Sequence, residues 1–402
     1  MKRLRLSIIG FGTVGQGLAE LLSAKRDLLR QEYNLDITLV SVANARSGFI
    51  YRENGLDIPA LLQLAAARHP LTAHPGVTHW ENALEGLQAT GGDILVEATP
   101  TNLHDAEPGM SHIRLALSQG MHVVTANKGP GALAANELFA LARQHGVQLR
   151  MESTVMAGTP VISTIREGMA GASVHALHGI LNGTTNYILT AMAAGQSYAE
   201  VLADAQARGY AETDPTADVE GFDAVAKTLI LAALVFGRSL KPGDVIRQGI
   251  TTITREQVQQ AIEQDKRIKL VASLRLLSVN EGQKPSLHPS EGNSAPVGAR
   301  EARSGGVGLY GRPLVPPDGS GPQKPSLEAR VEPVALPLSD PLARVDGVMN
   351  ALTISTDTLS EVTIIGPGAG RAATGQGLLS DVIACAREQA KEEAEASKRR
   401  VQ

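Results

Sequence analysis

Two lysines and a cluster of carboxylates are the side chains in this sequence best suited to chemistry. Lys128 ends the apolar segment that begins at Val123, and Lys227 follows the acidic segment from Gly209 to Asp218. Asp223 and Lys227 are four residues apart in a helical pattern, so they lie on one face of that helix. Carboxylates beside a lysine could bind an ammonium group and leave one cation as an acid or base. A solvated surface lysine at Lys128, and an acidic helix start with a simple salt bridge, are the structural alternatives.

A glycine-rich turn near the N-terminus indicates a nucleotide. The turn follows the apolar strand Leu4 to Ile9 and precedes a helical pattern, which is the context in which GxGxxG binds a dinucleotide. The glycines would let backbone N–H groups approach a pyrophosphate, and the helix N-terminus would attract its charge. Glycines that serve only close helix–strand packing are the alternative. The predicted cofactor-binding residues of this turn are Gly10, Phe11, Gly12, Thr13, Val14 and Gly15.

Four further positions complete the predicted cofactor site. Thr99 follows the strand Ile94 to Ala98, and Gly368 lies in a second glycine-rich turn. Lys128 ends its strand at the carboxyl edge of the sheet, where open α/β folds bind their ligands. Arg46 stands near the end of the second strand, where a carboxylate would bind ribose hydroxyls and an arginine suits a 2′-phosphate. This favours NADP over NAD, with an ordinary surface arginine as the alternative.

Alternating strands and helices position these residues. Strand patterns alternate with helical patterns in the first part of the chain. The strand patterns lie at Leu4 to Ile9, about Ile37 to Ala43, Ile94 to Ala98 and Met121 to Thr125. One helical pattern extends through Ser118 to a cap at Gly120, and another runs from about Asn136 to His145. This order predicts an α/β chain with an N-terminal Rossmann-type doubly wound parallel sheet. From about Met151 helical patterns dominate. One helix begins at a capping box, Ser197 to Glu200, and runs to about Arg208. Another runs from Val219 to Phe236.

The strands resume near the C-terminus, so a second, α+β domain follows. Strand patterns occur at Arg267 to Leu277, Leu327 to Leu336, Ala351 to Ser355 and Glu361 to Ile365, before a charged C-terminal helix. A Gly/Pro/Ser-rich stretch at 282–326 predicts a long mobile excursion between the first two of these strands. We predict a dinucleotide-binding domain over residues 1–134, completed by 366–390. A substrate-binding and dimerisation domain would cover 135–365.

Bulk composition excludes several classes of function. The 402 residues carry 37 basic and 41 acidic side chains, a net charge of -4 and 3% aromatic residues, so we expect no nucleic-acid partner. No apolar run approaches the roughly 20 residues that span a bilayer, and the N-terminal apolar segment is too short for a signal peptide. Cys385 is the single cysteine, so no internal disulfide can form. We expect a cytoplasmic enzyme that acts on a small-molecule substrate.

Four segments in this order resemble the homoserine dehydrogenase family. They are Gly10 to Gly15, Val123 to Lys128, Gly179 to Leu189 (GILNGTTNYIL) and Gly209 to Lys227. The resemblance covers about residues 4–275 and 327–385. It implies the NAD(P)-dependent interconversion of L-aspartate 4-semialdehyde and L-homoserine, in threonine, methionine and isoleucine biosynthesis, by a homodimer made through the second domain.

The resemblance also implies roles for individual residues. Lys128 and Lys227 correspond to two active-site lysines, with Lys227 as the proton donor to the carbonyl oxygen, and their mutual repulsion would help to release one proton. Glu212 and Asp223 correspond to positions that hold the substrate amino group, and Asp218 and Gly209 belong to the same substrate site. A segment similar to the family's monovalent-cation loop, which implies sodium, would supply ligands from Glu152, Val155, Ala157 and Thr159.

Some features depart from that family. The excursion at 282–326 is not a family feature, and Arg371 follows the second glycine-rich turn in place of the usual Pro-Thr pair. The length after that turn predicts a short, monofunctional form without a regulatory domain. Two rival hypotheses are an amino-acid dehydrogenase acting on a C–N bond and a non-catalytic nucleotide sensor. The first would prefer aspartate to homoserine, and the second should lack one or both lysines, which this sequence keeps.

Overall fold

Two β-sheets with flanking helices form the protein. The computed structural model describes residues 1–277 and 326–401, with side chains of the last helix described to Glu388. The predicted excursion at 282–326 lies outside the described residues, apart from Ser326. The α/β class with a Rossmann-type sheet and a second sheet domain is confirmed.

The first sheet contains seven strands: β1 (Lys2–Ile9), β2 (Leu35–Asn44), β3 (Gly48–Tyr51), β4 (Thr78–Trp80), β5 (Ile94–Glu97), β6 (His122–Thr125) and β7 (Leu149–Arg150). Their order is β4-β3-β2-β1-β5-β6-β7. Strands β2, β1, β5, β6 and β7 are parallel, whereas β3 and β4 form an antiparallel edge that we did not predict. Because β7 belongs to this sheet, the sheet continues past the predicted domain boundary at residue 134.

Six helices accompany this sheet: α1 (Thr13–Ala24), α2 (Arg26–Tyr33), α3 (Ile58–Ala66), α4 (Ala83–Thr90), α5 (Gly109–Ser118) and α6 (Lys128–Gln144). Helix α6 begins eight residues before the predicted start at Asn136. The side chain of Asn127 caps it by accepting the N–H of Gly129, and Pro130 is tolerated in the first turn because it needs no donor there. Ala134 leaves helical geometry (φ -144°), so α6 is kinked. The prediction captured the part of α6 after this kink.

The second sheet contains six strands: β8 (Val174–Ile180), β9 (Ile246–Arg247), β10 (Lys266–Leu276), β11 (Leu327–Pro337), β12 (Met349–Thr356) and β13 (Ser360–Pro367). Their order is β13-β12-β8-β10-β11-β9. Strands β10 and β11 pair antiparallel along their whole length, from Lys266 opposite Pro337 to Leu276 opposite Leu327. The prediction that the excursion connects two strands of one domain is therefore confirmed.

Eight α-helices lie in the remaining residues that the structure describes: α7 (Ser153–Met156), α8 (Val161–Ser163), α9 (Gly183–Ala193), α10 (Tyr198–Ala207), α11 (Thr216–Val219), α12 (Phe222–Phe236), α13 (Arg255–Glu263) and α14 (Arg371–Val401). The predicted capping box at Ser197 and Glu200 is present. The predicted helix Val219 to Phe236 begins instead at Phe222. Gly221 adopts a left-handed conformation (φ 81°) that separates α11 from α12.

The two faces of the second sheet differ. Helices α9, α12 and α13 pack on one face, where apolar residues such as Leu270, Ala272 and Leu352 join the core. On the other face the strand register aligns one polar row across five strands, formed by Thr363, Thr353, His178, Ser273 and Arg330. A sheet face that carries such a row has less apolar surface for helices to cover.

Two helix contacts bring the sequence motifs together. Helix α6 packs on α12, and a side chain at Gly131 would press on Ile230 of α12. Helix α14 packs on α1, because Gly17 lets the backbone carbonyl of Arg371 approach. The Arg371 guanidinium also donates to the Glu20 carboxylate at 2.6 Å. The C-terminal segment thus lies beside the first helix, which supports its predicted place in the nucleotide-binding domain.

Candidate active site

The first glycine-rich turn is built as the motif requires. Gly10 has a φ of 101°, and a side chain there would collide with the backbone carbonyl group of Ala98. A side chain at Gly15 would collide with the carbonyl oxygen of Gly10. Gly12 caps α1 without a side-chain hydrogen bond, and its first turn holds no acidic residue. The N-terminus of α1 therefore stays available to an anion.

The residues of this turn differ in what they can offer. Gly12 and Thr13 are exposed, and Val14 is half-buried. Phe11 is 2% exposed and packs into the core, while its N–H donates to Ala43 O at 2.9 Å. The Phe11 side chain thus packs in the core, and the predicted contact of this residue with the nucleotide stays a prediction.

Arg46 lies in the tight turn between β2 and β3. Its side chain is exposed, and its guanidinium donates to the carbonyl oxygen of Arg68 at 2.7 Å. Asn44, where the nucleotide-binding carboxylate would stand, accepts the N–H groups of Arg46 and Ser47 at 3.1 and 2.7 Å. This end of β2 therefore presents a cation and no carboxylate.

The ends of β5 and β6 hold a buried polar group that the sequence prediction missed. Glu97 is 0% exposed and accepts the N–H of Thr99 at 3.1 Å and its hydroxyl group. The Asn127 amide donates to Thr99 Oγ1 at 3.1 Å. Thr99, a predicted cofactor contact, is thus held from two sides. The sequence signal for this group was the carboxylate of Glu97 at the end of an otherwise apolar strand.

Lys128 and Lys227 meet at one carboxylate. Lys128 begins α6, and Lys227 lies in the second turn of α12. Lys227 Nζ is 2.9 Å from Asp223 Oδ2, and Lys128 Nζ is 3.6 Å from Asp223 Oδ1. Lys227 is 6% exposed and also donates to Leu181 O at 2.5 Å. Because Asp223 lies between the ammonium groups, its charge offsets the repulsion that the sequence analysis assigned to them.

Asn182 links this group to a second carboxylate. It precedes α9 and caps it by accepting the N–H of Thr185 at 2.9 Å. Its Nδ2 donates to Asp218 Oδ1 at 2.7 Å and to Asp223 Oδ2 at 3.1 Å. Asn182 stood in a quoted motif but not among the predicted site residues. An asparagine between a strand and a helix was the signal for this cap.

Opposite environments shift the two carboxyl groups in opposite directions. Burial alone would raise the pKa of Asp223, but the ammonium groups of Lys227 and Lys128 outweigh it and hold that pKa well below its usual range. Burial and the nearby charge of Asp223 raise the pKa of Asp218 above its usual value. The site therefore contains one firmly ionised carboxylate and one that protonates more readily.

Two predicted substrate residues are not joined to this cluster by contact. Glu212 is exposed, and among the described residues its carboxylate has no hydrogen-bond or ion-pair partner. Gly209 is exposed, with a φ of 73°, at the end of α10. The segment between Gly209 and Asp218 is nevertheless tied to α9, since Thr184 Oγ1 donates to Tyr210 O at 2.7 Å.

The predicted cation loop contains a buried carboxylate and a strained turn. The Glu152 carboxylate, 4% exposed, accepts the N–H groups of Ile162 and Ser163 at 2.8 Å each. Ala157 has a φ of 50°, which is rare for a residue with a side chain. Thr159 O accepts the N–H of Val161 at 2.9 Å.

This donor set fits a hard cation in kind. One carboxylate with the carbonyl groups of Val155, Ala157 and Thr159 is an all-oxygen set. Burial raises the pKa of Glu152, and a cation would favour its ionised form. Burial and the charge of Glu152 also raise the pKa of Asp381 to about 7. Among the described residues, no cluster of three His, Cys, Asp or Glu side chains could hold a metal ion.

The second glycine-rich turn meets a buried amide. A side chain at Gly368 would collide with the Asn350 carboxamide, whose oxygen and nitrogen are buried and have no hydrogen-bond partner in the residues that the structure describes. Thr159 Oγ1 donates to Pro367 O at 3.0 Å, which ties this turn to the cation loop.

No helix in the described ranges combines the length and hydrophobicity needed to cross a bilayer.

Comparisons with known proteins identify the family of this chain. A family model described as homoserine dehydrogenase matches residues 160–383, and one described as the homoserine dehydrogenase NAD-binding domain matches residues 10–152. An NAD(+)-dependent homoserine dehydrogenase of Pseudomonas canavaninivorans is 36% identical over 95% of this chain and 96% of its own.

Solved structures agree as well. A putative homoserine dehydrogenase of Archaeoglobus fulgidus superposes with a TM-score of 0.74 at 31% identity, over 94% of this chain and 98% of that one. A hyperthermophilic archaeal homoserine dehydrogenase in complex with NADPH has a TM-score of 0.72 at 26% identity, over 96% and 98%. The chain therefore belongs to the homoserine dehydrogenase family and is an NAD(P)-dependent oxidoreductase.

Proposed function

We propose that Lys128, Asp223 and Lys227 form the catalytic centre of this homoserine dehydrogenase. The observation that carries the proposal is the contact of both lysines, from two helices far apart in sequence, with one carboxylate at 2.9 and 3.6 Å. Bound NAD(P) supplies or accepts the hydride. In aldehyde reduction, Lys227 gives a proton to the carbonyl oxygen, and Lys128 stabilises the negative charge that develops there.

The substrate amino group is assigned to the carboxylates around this centre. Asp218 and Asp223 share the Asn182 amide, which supports a common role for them in binding an ammonium group. Glu212 is exposed, and its carboxylate has no hydrogen-bond or ion-pair partner within the described residues, so the carboxylate can bind the same group from the solvent side. Gly209, with its left-handed backbone, would let this segment turn toward the substrate.

A steady-state assay tests the proposal. We expect the protein to oxidise homoserine with NAD or NADP and to leave aspartate unreacted, as a carbon–oxygen rather than a carbon–nitrogen dehydrogenase. Silence with homoserine and both nucleotides would refute the proposal. Turnover of aspartate in its place would favour the rival amino-acid dehydrogenase.

We propose NADP as the preferred nucleotide. The support is the exposed Arg46 guanidinium at the end of β2, where no carboxylate is present. The nucleotide itself would rest on the turn at Gly10 to Gly15, on Thr99 and Lys128, and on the second turn at Gly368. The names of the relatives include both nucleotides, so kcat/KM must be compared for NAD and NADP. A higher value with NAD would reject the preference.

We also propose a monovalent cation, sodium, at Glu152, Val155, Ala157 and Thr159. The all-oxygen donor set and the buried Glu152 carboxylate support it. Sodium should raise the melting temperature of the wild-type protein more than choline does at equal ionic strength. Glu152→Gln should lose this difference, whereas equal responses to the two salts would reject the site.

The proposed assembly is a homodimer made through the second domain, in the cytoplasm. The polar row on the face of the second sheet opposite α9, α12 and α13 supports the interface, because a partner sheet can satisfy such groups. The lone, buried Cys385 thiol suits a reducing compartment. Sedimentation equilibrium should give twice the chain mass, and a monomer would reject the dimer. Threonine, methionine and isoleucine biosynthesis is the proposed pathway.

A further inference from the structure

A buried carboxylate supports the nucleotide side of the site without touching the proposed catalytic centre. Glu97 ends β5 and is 0% exposed. Its Oε1 accepts the N–H of Thr99 at 3.1 Å and also the Thr99 hydroxyl. The His112 Nδ1 atom lies 3.7 Å from this carboxylate and has no hydrogen-bond partner within the described part of the chain. A buried carboxylate reduces stability unless other groups compensate it, so this position requires an explanation.

The hydrogen bonds of Glu97 continue into the helix that carries Lys128. Asn127 Nδ2 donates to Thr99 Oγ1 at 3.1 Å, and Asn127 Oδ1 accepts the N–H of Gly129 at 3.0 Å. A side chain at Gly109 would collide with the Asn127 amide. The chain of bonds therefore runs from Glu97 through Thr99 and Asn127 to the first turn of α6.

Each bond in this chain has a fixed direction. The Gly129 N–H can only donate, so Asn127 must present its oxygen to it and its NH2 group to Thr99. The Thr99 hydroxyl then accepts from Asn127 and gives its own proton to Glu97. Only an acceptor can end this sequence, and an ionised carboxylate accepts without competing donors. A glutamine at position 97 can place an NH2 group where Oε1 lies, and an NH2 group cannot accept the Thr99 proton.

The two ends of this chain lie on the two parts that must be aligned for hydride transfer. The Ala98–Thr99 peptide borders Gly10 in the nucleotide turn, where no side chain would fit. Lys128, the first residue of α6, lies 3.6 Å from Asp223. A hydrogen-bonded chain between them holds the lysine at a fixed position relative to the nucleotide turn.

We propose that Glu97 is a positioning residue for hydride transfer: through Thr99 and Asn127, its carboxylate fixes the start of α6 and so aligns Lys128 with the nucleotide. This role rests on the proposed function of Lys128. Displacement of a reacting group by about 1 Å can lower turnover about 100-fold. The carboxylates that would bind homoserine lie elsewhere, on α11, on α12 and on the segment between α10 and α11, so substrate affinity should change little.

The test compares Glu97→Gln with a matched change on the same strand. Asp93→Asn also replaces a carboxylate by an amide, at the opposite edge of the sheet just before β5, where Asp93 accepts the Arg5 N–H at 2.7 Å. We expect Glu97→Gln to lower kcat about 10-fold to 100-fold, with the KM for homoserine within about threefold of wild type. Asp93→Asn should keep the wild-type kcat. A wild-type kcat in folded Glu97→Gln would overturn the proposal.

Substitution of Thr99 keeps the proposal testable if Glu97→Gln fails to fold. Thr99→Val breaks the chain and should lower kcat, whereas Thr99→Ser keeps the hydroxyl and should restore it. Where both single variants fold, the double variant should lose no more kcat than the worse single variant, because both act through one chain. Additive losses, or a wild-type kcat in Thr99→Val, would overturn it. A wild-type protein inactive on homoserine would instead reject the proposed function, so that assay comes first.

Discussion

Replacing Lys227 by methionine separates proton transfer from packing. Methionine keeps most of the length and apolar volume of lysine but loses the donor. The Leu181 carbonyl group then loses a bond of 2.5 Å and Asp223 loses its nearer cation. Asp223 keeps Lys128 at 3.6 Å and Asn182 at 3.1 Å. We therefore expect kcat to fall by about 10² or more, as for the loss of a general acid, and the dissociation constant of the nucleotide to change less than about threefold.

The stability cost follows from the same contacts. Removing one partner of a buried ion pair costs about 3–5 kcal/mol, and the remaining partners of Asp223 should reduce this to about 2–3 kcal/mol. An unfolding free energy lower by that amount shifts the melting temperature by several degrees, at about 2–4 °C per kcal/mol. The variant should thus stay folded at 25 °C, where the assay is run.

Lys269→Met provides the matched control. Lys269 lies on β10 of the second sheet and is also buried. Its Nζ donates to Asn186 Oδ1 at 3.1 Å and to Val345 O at 2.6 Å. The same substitution there should lower the melting temperature but leave kcat within about threefold of wild type. If Lys227→Met turned over at near the wild-type rate, or if both variants lost kcat equally, the assignment of Lys227 as proton donor would be refuted.

Three further changes test separate parts of the structure. Because the folded-state pKa of Asp223 is held below its unfolded value, its contribution to stability is present above about pH 4 and is lost as the pH falls. In urea unfolding from about pH 3 to 7, the free energy of unfolding should therefore fall less toward acid pH in Asp223→Asn than in wild type. Equal slopes for the two proteins would contradict this. Arg46→Ala should raise the KM for NADP about 10-fold, as for one lost charged contact, while an equal change for NAD would exclude a 2′-phosphate contact. Gly10→Ala should reduce the unfolding free energy by about 1–3 kcal/mol because φ is 101°, whereas Gly12→Ala, where a Cβ meets nothing within 4 Å, should unfold like wild type.

Local features could be read before the structure was known. The strand before Gly10, the capping box at Ser197 and the individual strands β10 and β11 all follow from patterns within a few residues, because turns, caps and apolar periodicity are local properties. The start of α6 at Lys128 could not be read in this way. Its Gly-Pro-Gly sequence is typical of a helix end, and only the Asn127 cap and the kink at Ala134 make the first turn possible.

The membership of the candidate site was only partly predictable. Both lysines and Asp223 were chosen from the sequence, but Asp223 was assigned to the substrate and not to the lysines that it contacts. Glu97 and Asn182 were missed, since a strand-end carboxylate and a helix cap resemble ordinary structural residues until their partners are known. Glu212 was chosen for this site, and the structure gives it no partner there.

The residue types and their order define the available chemistry: a nucleotide turn, two lysines and several carboxylates in a recognisable order. Which of these groups meet depends on how the helices pack. Ion pairs and hydrogen bonds act over about 3–4 Å, and the packing of α6 on α12 is what brings Lys128 within that distance of Asp223. A single chain order is compatible with many such packings, so the common carboxylate of the two lysines is a property of the fold.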